Sequence, residues 1–121
     1  MGQYWMFFNL DKREYLDPAE IVGVRKLWEC IANAGVGAAL IVLVAAQPEY
    51  RGGGDLNVDL AKDVIGRWAG DRIAAVGDYA KDSDLPAEWE AGSLYLRSAD
   101  EWTDITLLVL PVLEREIGLS P

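Results

Sequence analysis

The chain has 121 residues, 51% of them hydrophobic, and a formal net charge of −9 from 20 acidic and 11 basic side chains. This length and apolar content suit one globular domain with a real core and exclude a disordered chain. The charge argues against direct nucleic-acid binding and against docking on an anionic membrane, and the absence of histidine removes Ser-His-Asp and Cys-His catalysis.

In chain order, Gln3 to Leu10 is aromatic and apolar and predicts a strand covered on both faces. Turn residues Asn9-Leu10-Asp11-Lys12 follow, and Arg13 to Leu16 predicts a short returning strand. Asp17-Pro18-Ala19-Glu20 carries the marks of a helix start: a capping aspartate, proline at the first helical position, and a glutamate three residues after the cap. Ile21, Val24, Leu27, Trp28 and Ile31 continue at helical spacing, with Gly23 weakening the first turns and Gly35 as a stop. Cys30, the only cysteine, falls in this helix and reads as a buried inert thiol. It can form no internal disulfide, which fits a reducing compartment.

Ala38 to Ala46 is a continuous apolar run, too short to span a bilayer, and its β-branched content predicts a central strand. Pro48 and Gly52 to Gly54 end it. Asp59 to Trp68 reads as an amphipathic helix closed by Gly70, and Arg72 to Tyr79 as the next strand. Lys81 to Pro86 is a polar loop, and Ser93 to Arg97 alternates like a short strand. Ser98-Ala99-Asp100-Glu101 matches a capping box before a helical stripe of Trp102, Ile105, Val109, Val112, Leu113 and Ile117, which Pro111 should kink or split. The expected fold class is α/β, or α+β: a single domain over residues 1–121, with a mixed four- to five-stranded sheet and about three helices.

Glycine precedes aspartate three times between Arg51 and Tyr79: Gly54-Asp55, Gly70-Asp71 and Gly77-Asp78. Glycine permits φ > 0 or a close backbone approach, and an adjacent aspartate can bond amides or face a ligand. If Ala38 to Ala46 and Arg72 to Tyr79 are parallel strands of a right-handed β-α-β unit, both finish at one sheet edge. The expected site there comprises Arg51, Gly52, Gly53, Gly54, Asp55, Asp78 and Tyr79, offering amide donors, a guanidinium and carboxylates to a polar ligand. The alternative is structural, with the glycines making turns and Asp71 and Asp78 capping amides or pairing with arginines.

The glycine run lacks the Lys-Ser/Thr of a phosphate loop and the spacing of a dinucleotide fold. Asp55 to Asp59 opens like a calcium loop, but Leu60 stands where glycine is needed and Gly66 where the bidentate glutamate belongs. The metal-binding strand end suggested by Val76-Gly77-Asp78-Tyr79 needs histidines the chain does not have. No catalytic residue, metal site or cofactor is assigned.

Gly2-Gln3-Tyr4-Trp5, Asn9-Leu10-Asp11-Lys12-Arg13, Gly35 to Leu40, Arg51 to Asp55, Trp68 to Arg72 and Val76 to Ala80 together resemble a family of short proteins from bacteria, phages and fungi. That family has no established activity, so the resemblance implies no catalytic residue. The first expected function is a cytoplasmic, acidic, non-enzymatic binding module, recognising a small polar or phosphorylated ligand or the basic surface of a protein. The alternatives are a carboxylate-dependent hydrolase or transferase, with or without magnesium assistance, on a nucleotide-like substrate, and an acidic phage-type inhibitor of a nucleic-acid-handling protein. Oligomeric state is not legible.

Overall fold

Strand β1, Trp5–Asn9, organises the molecule. It turns at Asn9, whose Oδ1 accepts the Lys12 amide at 2.9 Å, and returns as β2, Glu14–Leu16. The structure is a computed structural model that describes residues 3–46 and 61–118. β1 also pairs antiparallel with β3, Ile73–Gly77, and β2 pairs parallel with a short β4, Thr103–Asp104. The result is a mixed four-stranded sheet in the order β3-β1-β2-β4, within the expected class.

Helices cover both faces of this single domain. Asp17 caps α1, Pro18–Val22, and Gly23 closes it in the left-handed region at φ 77°. The single helix expected from Pro18 to Gly35 is therefore two, because residues 24–26 leave the helix to meet β1. The Arg25 carbonyl accepts the Trp5 amide at 2.7 Å, and Lys26 bridges to Tyr4. The second helix, α2, is Leu27–Ala32. Its apolar residues do not all face inward: Cys30 is buried, whereas Trp28 is 77% and Ile31 76% exposed.

The expected central strand at Ala38 to Ala46 is instead helix α3, Ala34–Val44, which corrects both that strand and the β-α-β unit built on it. Asn33 caps it through the Gly35 amide, and its alanines and leucines are strong helix formers. The run is apolar on every side, so periodicity could not reveal it; only the buried set Gly35, Val36, Ala39, Val42 and Leu43 shows the helical spacing. Ser93 to Arg97 is likewise helical, inside α4, Ala91–Glu101, which buries Ala91, Leu94 and Ser98 and leaves Leu96 79% exposed. The capping-box sequence at Ser98 ends that helix rather than starting one. The last helix, α5, is Thr106–Ile117 and accommodates Pro111 on an exposed side. Of the amphipathic helix expected from Asp59 to Trp68, residues 59 and 60 lie outside the described residues. Residues 62–70 form consecutive turns.

The sheet separates two cores. On one face, Leu16 packs with Ile21, Leu43, Trp68, Ile105, Val109 and Leu113, between α1, α3 and α5. On the other, Met6, Phe8 and Val76 pack with Trp89, Leu94 and Trp102 under α4. Among the described residues, no helix is long and apolar enough to cross a membrane.

Candidate functional site

Strand directions decide where polar groups gather. β2, β3 and β4 all run opposite to β1, so their carboxyl ends share one edge with the amino end of β1. Along that edge stand Asp104 at the end of β4 and Thr106 beyond it, Asp17 after β2, Tyr4 before β1, and Asp78 after β3.

A chain of contacts links them. The Asp104 carboxylate accepts the Thr106 hydroxyl at 2.6 Å and the Thr106 amide at 2.9 Å. Thr106 Oγ1 in turn accepts the Asp17 amide at 2.8 Å. The Asp17 carboxylate, buried, caps Ala19 and takes a bidentate grip from Arg25, with contacts at 2.5 and 2.9 Å. That pairing raises the Arg25 guanidinium above its ordinary range. The half-buried Tyr95 hydroxyl is raised by burial and by Asp17 and Asp78, against the opposing pull of Arg25, so its surroundings span β2 and β3. Asp78 Oδ1 accepts the Tyr4 amide at 2.9 Å, while the Tyr4 carbonyl accepts the Asp78 amide at the same distance.

Glu20 on α1 completes the edge. Partial burial, a hydrogen bond to Asp104 and the charges of Asp104 and Asp17 push its carboxyl up to about 7, although Glu20 as a residue is exposed. Tyr15 faces the same group and is raised by burial, Asp104 and Glu20. A carboxyl pair that holds one proton near neutrality can transfer it or sense pH.

Of the expected site, Asp78 and Tyr79 lie at this edge, Asp78 half-buried and Tyr79 59% exposed. Arg51, Gly52, Gly53, Gly54 and Asp55 lie outside the described residues, and with α3 a helix the β-α-β argument no longer places them beside Asp78. Asp17, Glu20, Arg25 and Asp104 were missed. In the sequence Asp17 reads as a helix cap and Asp104 as a polar helix position; only the parallel β2–β4 pairing brings them together.

Two of the three Gly-Asp pairs act as clamps. Asp71 binds the Asn9 side-chain amide at 2.9 Å and the Lys12 ammonium, and Arg72 grips Asp11 at 2.8 and 3.0 Å. These contacts lock the turn after β1 to the start of β3. Asp78 and Tyr79 do the same at the other end, with Tyr4 and with Gln3, whose Oε1 accepts the Tyr79 amide at 3.3 Å. Among the described residues, no cluster of three or more Asp, Glu, Cys or His side chains has metal-holding geometry. No family model, curated protein or solved structure matches the chain.

Proposed function

We propose that the chain is a cytoplasmic, non-enzymatic binding module that engages a basic surface of a partner protein through the acidic carboxyl end of its sheet. The supporting observation is how the cations are used. Lys12 is paired with Asp71, Arg25 with Asp17, Arg67 with Glu14, Arg72 with Asp11 and Glu88, and Arg97 with Glu101. Arg13 lies over the Trp102 ring. These cations are engaged within the fold, while Asp78, Asp82 and Asp84, together with the Glu20–Asp104 pair that shares a proton near neutrality, leave net negative charge at or near the carboxyl end of the sheet. Complementary charge of this kind steers a partner and sets register more than it adds affinity. Nucleic-acid-handling proteins carry such basic surfaces, and an acidic inhibitor of one of them is a specific form of this function.

The test is native mass spectrometry of the chain taken from its own host at low and high salt. The expected result is a retained basic protein, released as the Debye length falls from about 10 Å to about 3 Å. Elution of the chain alone, or with a small molecule retained at both salts, contradicts the proposal.

A second reading rests on Glu20 and Asp104. A carboxyl held at about 7 beside a carboxylate suits general acid–base chemistry, so a carboxylate-dependent hydrolase or transferase is the enzymatic alternative. Turnover of nucleotide-like substrates that disappears in Glu20→Gln supports it; equal rates in both proteins remove it.

A further inference from the structure

The register of β3 exposes a second feature. Leu10 donates to the Arg72 carbonyl, Asp78 donates to the Tyr4 carbonyl, and Met6 lies opposite Val76. Hydrogen-bonded and non-bonded pairs alternate in an antiparallel ladder. Ala74 and Val76 therefore bond β1, and the backbone groups of Ile73, Ala75 and Gly77 point away from the sheet. The Gly77 carbonyl takes the Ala80 amide; among the described residues, the amides of Ile73, Ala75 and Gly77 and the carbonyls of Ile73 and Ala75 have no partner. Among the described residues β3 is the end strand of the sheet, and Ile73-Ala74-Ala75-Val76-Gly77 carries no charge and no proline. Those are the devices that normally blunt an open edge.

Grooves flank this edge on both sides. One, of about 370 Å³, runs between α3 and the sheet, lined by Phe7, Leu40, Ile41, Val44 and Ile73. The other, of about 270 Å³, lies toward Gly77 and includes Trp5, Tyr79, Leu85 and Asp84. Asp78, Asp82 and Asp84 follow the strand, with Lys81 the one cation in the stretch from Asp78 to Trp89.

We infer that the β3 edge is a strand-addition site for an extended segment of a partner protein, with alternating aliphatic side chains and a lysine or arginine at the end nearest Gly77. Main-chain bonds to the exposed Ile73 and Ala75 supply the pairing, the α3 groove takes an aliphatic side chain, and the carboxylates beyond the buried Gly77 select the basic end. Charge complementarity decides the occupant: a second copy, itself of formal net charge −9, would meet like charge at this edge. This inference rests on the proposed binding of a basic protein and gives it a location.

Amide hydrogen exchange on the full chain, with and without a synthetic probe, tests it. The probe alternates valine with threonine and ends in two lysines; a control ends in two glutamates. In the free chain the Ile73 and Ala75 amides should exchange fast while Ala74 and Val76 exchange slowly. The lysine probe should protect Ile73 and Ala75, and the glutamate control should bind at least about tenfold more weakly. Ala75→Pro removes an outward amide without touching the bonds to β1, and Ala75→Lys adds a cation at an exposed position; both should abolish protection. Slow Ile73 and Ala75 exchange in the free chain overturns the inference: concentration-independent protection assigns the edge to the chain's own residues, concentration-dependent protection to a second copy. If the host's basic partner is retained equally by wild type and Ala75→Lys, the edge inference falls and the acidic-surface proposal stands. If no basic protein is retained by the wild type, the proposal itself falls.

Discussion

Glu14→Ala should be among the most damaging single changes to a charged residue of this protein. Glu14 is 7% exposed at the start of β2. Its Oε1 accepts the indole N–H of Trp68 at 2.9 Å, and its two oxygens accept Arg67 at 2.6 and 3.0 Å. Burial alone would raise this carboxyl, but the bonds from Arg67 and Trp68 outweigh it and hold it below its ordinary value. Trp68 is fully buried, so losing its acceptor costs about 1–3 kcal/mol. The Arg67 side chain is 32% exposed and can turn to water, so its share is only about 0.5–1 kcal/mol. The total of about 2–4 kcal/mol corresponds to a Tm lower by about 10 °C in a domain of this size. Urea denaturation followed by far-ultraviolet circular dichroism measures it. In a Trp68→Phe background, which has no indole donor, Glu14→Ala should cost about 1–2 kcal/mol less. Equal costs in the two backgrounds would refute the hydrogen bond as the source of the effect.

Three further outcomes follow from the geometry. Glu20 is raised in the folded state from 4.5 to about 7, so the folded chain holds a proton the unfolded chain releases. Its contribution is therefore full below pH 4.5 and lost as pH rises through 7; thermal melts should show wild type losing stability between pH 5 and 8 relative to Glu20→Gln. Val42 is 8% and Val44 41% exposed, so Val42→Ala should cost about 1–2 kcal/mol and Val44→Ala under about 0.5 kcal/mol by urea titration; a strand would place both on one face and equalise them. Cys30 is buried and its thiol is raised by burial and by Glu29, so thiol reagents should label it slowly in native protein and quickly in urea, and equal rates would contradict the packing of α2.

What the sequence made legible was local. The aromatic run at Trp5 to Asn9, the return at Glu14 to Leu16, the Asp17-Pro18 helix start and the strand before Asp78 all formed where turn chemistry and alternation placed them. The apolar run at Ala38 to Ala46 was misread because a segment apolar all round has no period, and because the helix begins at Ala34, before that run, so the run alone is shorter than α3. Leu94 and Leu96 alternate like a strand, yet only Leu94 is buried, because α4 meets the sheet through Ala91, Leu94 and Ser98. The site was harder still. Glu20 and Asp104 are 84 positions apart by their numbering and meet through the two-residue strand β4, a pairing with no local signal. The clamps of Asp71 and Asp78 on the two ends of β1 are also long-range, with separations of 62 and 74 residues.

Carbodiimide cross-linking in lysate of the native host, followed by peptide mapping, tests the binding face most directly, because it joins a carboxylate only to an amine in contact with it. The account predicts links from Glu20, Asp78, Asp82 or Asp84 to lysines of one partner protein, lost at high salt. Links confined to Glu114 on α5 or Glu29 on α2, or none above background, would contradict it.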